Sequence, residues 1–172
     1  MLRKKKLFVR PKKAFESVRI KEENIILKKY GLKTKREIWK SLARVNYFRR
    51  RAKDLARSSR EDQEVFLSKL KALGLNTNSL ADVLNLKVEN LLERKLATVL
   101  VRKKLASTPK QARQFIVHKK VIVGGNVINI PNYIVPLNLE HTIVVKKSSE
   151  PVKAKEESSE NKEESENAQE EN

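Results

Sequence analysis

Lys110, Arg113, Gln114 and His118 recur at the three- and four-residue spacing that gathers side chains on one face of an α-helix, opposite Ala112, Phe115 and Ile116. Ammonium, guanidinium and amide donors in such a row suit one chemistry above others, hydrogen bonding to the oxygens of an anionic backbone. Other chemistries lack raw material. The chain has no Cys, which removes disulfides and thiolate metal sites. Its two histidines, His118 and His141, have no carboxylate at ligand or relay spacing. Glu22-Glu23 and Asp62-Glu64 read as first-turn helix acids favoured by the macrodipole. Gly124-Gly125 lacks the flanks of a phosphate-cradling loop. No catalytic residue, metal ligand or cofactor site is therefore expected, and the chain does not read as an enzyme.

An isolated charged helix face is usually just solvated, so the rest of the chain has to decide. Its 39 Lys and Arg stand against 21 Asp and Glu, a formal charge of +18 that hides two opposed regions. Met1 to Lys147 holds 36 basic and 12 acidic residues, net +24; Ser148 to Asn172 holds 3 and 9, net −6. A body this cationic repels itself and gains most from a polyanion whose counterions it releases, which makes nucleic acid the leading partner. No run reaches the roughly 20 apolar residues of a membrane span. Leu7-Phe8-Val9 is too brief for a signal-peptide core, so no membrane partner and a cytoplasmic location are expected.

Rigid elements must present these cations. Thr108 as N-cap, Pro109 at the first helical position and Gln111 as box partner mark the start of the helix carrying Arg113. After Lys119-Lys120, Val121-Ile122-Val123 and Val127-Ile128 flank Gly124-Gly125 as a tight hairpin, a combination that suggests a compact RNA-binding module. Upstream, Glu22 to Tyr30 reads as a helix stopped by Gly31, and Thr34 with Glu37 as a capping box. A long helix follows to about Arg57, with Ile38, Leu42, Val45, Ala52 and Ala56 inward and Arg36, Lys40, Arg44 and Arg51 outward. Arg49 and Lys53 flank the apolar stripe, Arg50 continues the basic run, and Trp39 and Tyr47 are expected to pack. Further helices are expected over Glu61–Leu73, as a short turn capped by Ser79 and Asp82, and over Val88–Leu105. Asn132–Val135 and His141–Val145 read as strands. The expected fold class is α+β. It comprises a basic arm (1–15), a helical RNA-binding domain (16–90), a small α/β module of two helices on a short antiparallel sheet (91–147), and a disordered acidic tail (148–172).

Several ordered motifs resemble small-subunit ribosomal protein four, the S-four family, in its archaeal and eukaryotic form. They are the run from Tyr30 to Lys40, Leu91 to Leu96, Ser107 to Arg113, Val121 to Val123 and Val127 to Tyr133, within roughly Pro11 to Val145. The resemblance implies a primary binder of small-subunit ribosomal RNA at a multi-helix junction, in contact with neighbouring small-subunit proteins and near where messenger RNA enters. It implies an RNA face of Arg94, Lys95, Lys110, Arg113, Gln114, His118 and Lys119, joined by Lys35, Arg36, Arg49, Arg50 and Lys53 of the long helix. Periodicity instead favours Arg36, Lys40, Arg44 and Arg51 for exposure. The alternatives are a non-ribosomal RNA chaperone and an RNA-modifying enzyme that shares the small module, the latter needing a catalytic domain for which no segment has the length. Eukaryotic members commonly end in a basic extension; this chain ends in an acidic one.

Deleting Ser149 to Asn172 is expected to leave the fold intact and to strengthen binding of random RNA at low salt, because the segment is a polyanion tethered to a polycation. The gain should exceed that for a cognate junction and fade as salt rises. Titration of both proteins with both RNAs at two salt concentrations checks this, and unchanged random-RNA affinity at low salt would contradict it.

Overall fold

The computed structural model describes residues 7–146; the first six residues and the expected disordered tail lie outside the described residues. Seven helices precede and feed a small sheet: α1 (Ser17–Lys29), α2 (Lys35–Leu55), α3 (Arg60–Ala72), α4 (Leu80–Asn85), α5 (Val88–Glu93), α6 (Leu96–Arg102) and α7 (Pro109–Val117), then β1 (Val121–Val123), β2 (Asn126–Val127) and β3 (Val144–Val145). The α+β class holds.

The basic arm is anchored where it is described. Phe8 packs on Trp39 with ring centroids 5.9 Å apart, and Arg19 donates to the carbonyls of Lys13 and Ala14 at 2.8 and 3.0 Å. Helix α1 starts at Ser17, earlier than the expected Glu22. It ends into Gly31, whose φ of +59° favours glycine. A second reason is steric, since a Cβ there would meet Pro109 Cβ at 2.8 Å, so the glycine lets α7 start against the end of α1.

Helix α2 buries Ile38, Ser41, Val45, Phe48, Ala52 and Leu55. Leu42 and Ala56, expected inward, are exposed. The buried stripe runs instead through Ser41, whose hydroxyl is satisfied by Glu37 O at 2.9 Å and so tolerates burial. Neither half of the expected capping box at its start forms: the Glu37 N–H donates to the Thr34 carbonyl at 3.1 Å rather than to the Thr34 side chain, and the Glu37 carboxylate is drawn to Arg113. The Ser79–Asp82 box on α4 is complete. Trp39 is half-buried and donates to Glu23 at 2.9 Å. Tyr47 packs only in part: its ring centroid lies 6.0 Å from that of Phe48, yet the residue is 63% exposed.

The expected helix over Val88–Leu105 is broken in two at Arg94-Lys95, where Lys95 turns extended (φ −68°, ψ 143°). Tertiary pairing wins over periodicity here. Leu96 N–H donates to Tyr133 O at 2.9 Å and Val135 N–H to Arg94 O at 3.0 Å, so this segment bridges the 133–135 strand segment. That bridge is all that remains of the strand expected at Asn132–Val135. In the sheet, order β2-β1-β3, Gly124 and Gly125 both take positive φ in the hairpin turn, as expected. The last expected strand shortens to β3, pairing Val121 with Val145 and Ile122 with Val144.

Two main cores result. Leu96, Val99, Leu100, Ala112, Ile116, Val121 and Val135 fill the module. Val45, Phe48, Leu70, Val83 and Leu91 fill the helical part. Between them lies Arg94, 6% exposed. Its guanidinium donates to Leu73 O at 3.1 Å, Val135 O at 2.8 Å and the Glu140 carboxylate at 2.9 Å. Gly74, at φ +76°, leaves the room, since a Cβ there would lie 2.4 Å from Arg94 Nε.

Burial alone would push the Glu140 carboxyl up, but hydrogen bonds and charge from Arg94 and Arg102 outweigh it and hold the group below its ordinary value. A depressed carboxyl contributes stability that is present above the ordinary pKa of 4.5 and lost as pH falls through the folded value. Glu140→Gln should therefore cost about 3 kcal/mol at neutral pH, the low end for breaking a buried pair because Glu140 keeps some solvent contact. The deficit should shrink steadily below pH 4.5, as read by urea unfolding across pH.

Candidate nucleic-acid interface

The interface is built from α2, α7 and the break before α6. On α2, Arg36, Lys40, Arg44 and Arg51 are all exposed, spaced so that they share one stripe beside the buried one. Tyr47 falls within that stripe. All four cations favoured by periodicity are exposed, as are Arg36, Arg50 and Lys53 of the five that the resemblance implies. Lys35 lies 3.4 Å from Glu23, and Arg49 donates to Leu86 O at 2.6 Å, so both serve internal contacts. Arg50 and Lys53 are exposed, Lys53 on the opposite flank of the buried stripe.

Helix α7 is set as its sequence demands. Thr108 Oγ1 accepts from Gln111 N–H at 3.3 Å, and Gln111 reaches back one residue beyond the cap to Ser107 N–H at 2.8 Å. Ala112 and Ile116 are fully buried, and Lys110, Gln114 and His118 are exposed. Lys119 ends the helix at φ +58° and is exposed as well. Arg113 differs from the expected free cation. It is half-buried and clamps Glu37 of α2 through two hydrogen bonds of 2.8 and 3.0 Å, a bidentate pair that joins α7 to the first turn of α2.

Arg94 and Lys95 are the members of the expected face that lie buried. Arg94 uses each of its three guanidinium nitrogens on an internal partner. Lys95 is 4% exposed, and its ammonium has no hydrogen-bond partner among the described residues. Burial drives its pKa down to about 8; the Glu37 charge opposes this, and Arg113, Arg44 and Lys40 add to it. These five charged groups are therefore electrostatic neighbours, and the only anion among them is already clamped. Residue types alone do not foreshadow the internal pairing of Glu37 and Glu140 or the exposure of Tyr47. For Tyr47 the signal existed, because it shares the stripe of Lys40, Arg44 and Arg51.

A cleft of about 430 Å³ opens between α2 and the 130–134 segment, lined by Lys40, Ser41, Arg44, Tyr47, Leu91 and Lys95 together with Ile130, Asn132 and Ile134. Among the described residues, no group of His, Asp or Glu could hold a metal ion, and no helix is long and apolar enough to cross a membrane.

The S4 domain family matches residues 94–141, the module that carries α6, α7 and the hairpin. Likeness to known proteins extends well beyond it. The chain is 46% identical over 132 residues to the small ribosomal subunit protein uS4 of Methanococcus aeolicus, covering 73% of this chain and 75% of that protein. It is 42% identical over 151 residues to uS4 of Nanoarchaeum equitans, covering 83% and 84%. It is 36% identical over 148 residues to uS4 of Halobacterium salinarum, covering 84% and 87%.

Because Arg113 is paired with Glu37, reversing its charge should cost stability that reversing a free surface cation would not. Arg113→Glu sets two carboxylates together in a half-buried site and should cost about 2–3 kcal/mol of stability, below the full range for buried pairs. Lys110→Glu, on the exposed face, should stay within about 0.5 kcal/mol. The charge swap Glu37→Arg with Arg113→Glu should recover much of the loss. Urea midpoints of the four proteins check this.

Proposed function

The chain belongs to the small ribosomal subunit protein uS4 family, and from that premise we propose that it is a structural, RNA-binding constituent of the small ribosomal subunit. The observation that carries the reading to this chain's own residues is the exposed stripe of Arg36, Lys40, Arg44 and Arg51 on α2. Lys110 and Gln114 on α7, with His118 and Lys119 just past its end, extend the cationic surface. Rigid helices hold these side chains, which lowers the ordering cost of gripping a phosphate backbone. Phosphate contacts position the protein, and the shape of the folded RNA selects the site.

The same proposal includes early binding at a multi-helix junction of small-subunit ribosomal RNA, contacts with neighbouring small-subunit proteins, and a position near where messenger RNA enters. Its support is the ordered series of motifs from Tyr30 to Tyr133. Likeness over most of the chain, rather than over the small module alone, favours this reading over a chaperone or a modifying enzyme that shares only the module. No catalytic role is proposed.

With roughly 6–10 phosphate contacts, affinity for a small-subunit ribosomal RNA fragment should fall by about 10³–10⁵ between 50 and 200 mM salt. Single charge removals at Lys40 or Lys110 should each reduce the salt slope by about 1. Filter binding across a salt series checks both. Affinity insensitive to salt, or equal for the ribosomal fragment and random duplex, would contradict the proposal.

A further inference from the structure

The cleft between α2 and the 130–134 segment is chemically two-sided. One part of its lining is apolar or aromatic, with Tyr47, Leu91, Ile130 and Ile134. The other is cationic, with Lys40, Arg44 and Lys95, and Asn132 adds an amide that can both donate and accept. Tyr47 is exposed, although it is a large aromatic on a helix whose other rings pack, and it also borders the adjoining depression formed with Phe48, Leu73 and Tyr133. A side chain in that position offers a ring to something outside the protein.

Lys95 supplies the second observation. A buried ammonium without a hydrogen-bond partner is costly, and its neighbours make matters worse rather than better. Lys40, Arg44 and Arg113 repel it, and Glu37, the nearby anion, has both carboxylate oxygens on Arg113. The site is short of one anion. The flexible four-carbon stem of lysine can present the ammonium to the cleft that Lys95 already lines.

We propose that this cleft seats a single unstacked nucleotide of the bound RNA, its base against Tyr47 and Ile130 and its phosphate among Lys40, Arg44 and Lys95. Splayed-out bases that stack on aromatic side chains are the usual means by which proteins read single-stranded RNA, and one phosphate supplies the missing charge. The proposal rests on the ribosomal RNA reading and sharpens it, since it replaces a purely electrostatic surface by one shaped contact.

The test uses the full chain and a small-subunit ribosomal RNA fragment. Tyr47→Ala should bind roughly 5- to 100-fold more weakly, the range for losing one base–aromatic stack, while Tyr47→Phe stays near wild type. Lys95→Met should bind roughly 10- to 100-fold more weakly, as expected for a lost charged hydrogen bond. It should also be at least as stable as wild type near neutral pH, because it removes an uncompensated charge. Ultraviolet crosslinking of the wild-type complex, mapped by mass spectrometry, should join a nucleotide to the peptide containing Tyr47. If wild type binds the fragment selectively but Tyr47→Ala and Lys95→Met match it, the nucleotide seat is overturned and the ribosomal reading stands. Loss in Lys95→Met with Tyr47→Ala unchanged overturns it in favour of a bare phosphate contact. If wild type fails to prefer the ribosomal fragment over random duplex, both readings fall.

Discussion

The buried guanidinium of Arg94 is the constraint on which the rest of this structure depends. It spends its donors on the end of α3, the 133–135 segment and Glu140, so one side chain ties the helical part to the α/β module. A charge can sit there only because its partners are complete; the same burial without Glu140 would be strongly unfavourable. Arg102 also reaches Glu140, which places two guanidiniums on one carboxylate and keeps it ionised. Gly74 makes the approach possible by having no Cβ.

This anchoring has a consequence one residue later. Fixing Arg94 breaks the helix and turns Lys95 inward beneath α2, where the cations of α2 and α7 converge. A second clamp, Glu37 with Arg113, sets α7 against the start of α2 and uses up the local anion. Charge is thereby sorted. Some cations build the frame, as Arg19, Arg49, Arg94 and Arg113 do, and others, as Arg36, Lys40, Arg44, Arg51 and Lys110, remain exposed, where the proposed function has them meet an external polyanion. A surplus of cations with few internal anions is a stable arrangement only at a modest self-repulsion, which bound RNA relieves.

Local signals were legible in the sequence wherever the cause of the structure was itself local. Thr108-Pro109, Ser79 with Asp82, and Gly124-Gly125 each specify their cap or turn through backbone chemistry within four residues, and each appears as read. Readings failed where a distant partner intervened. Glu37 left its capping box for a bidentate arginine 76 residues away. The 88–105 helix broke because Arg94 and Leu96 found backbone partners at Val135 and Tyr133. Residue type alone cannot tell a paired framing arginine from an exposed cation, which is why Arg94 and Arg113 stand beside Lys110 in the expected face. The stripe on α2 was readable because helical periodicity reports exposure directly. For Tyr47, residue type points to packing, which its ring meets only against Phe48, while helical position already sets it among the exposed cations.

The central claim is that the exposed cations, rather than the framing ones or the outer face of α3, meet the RNA. Lysine modification by reductive methylation, quantified by mass spectrometry for the free chain and for its complex with a small-subunit ribosomal RNA fragment, reads this residue by residue. The account predicts strong protection of Lys40, Lys110 and Lys119 in the complex, with Lys69 and Lys71 of α3 modified at the same rate in both. Equal modification of Lys40 and Lys110 in free and bound protein, or protection concentrated on α3, would contradict it.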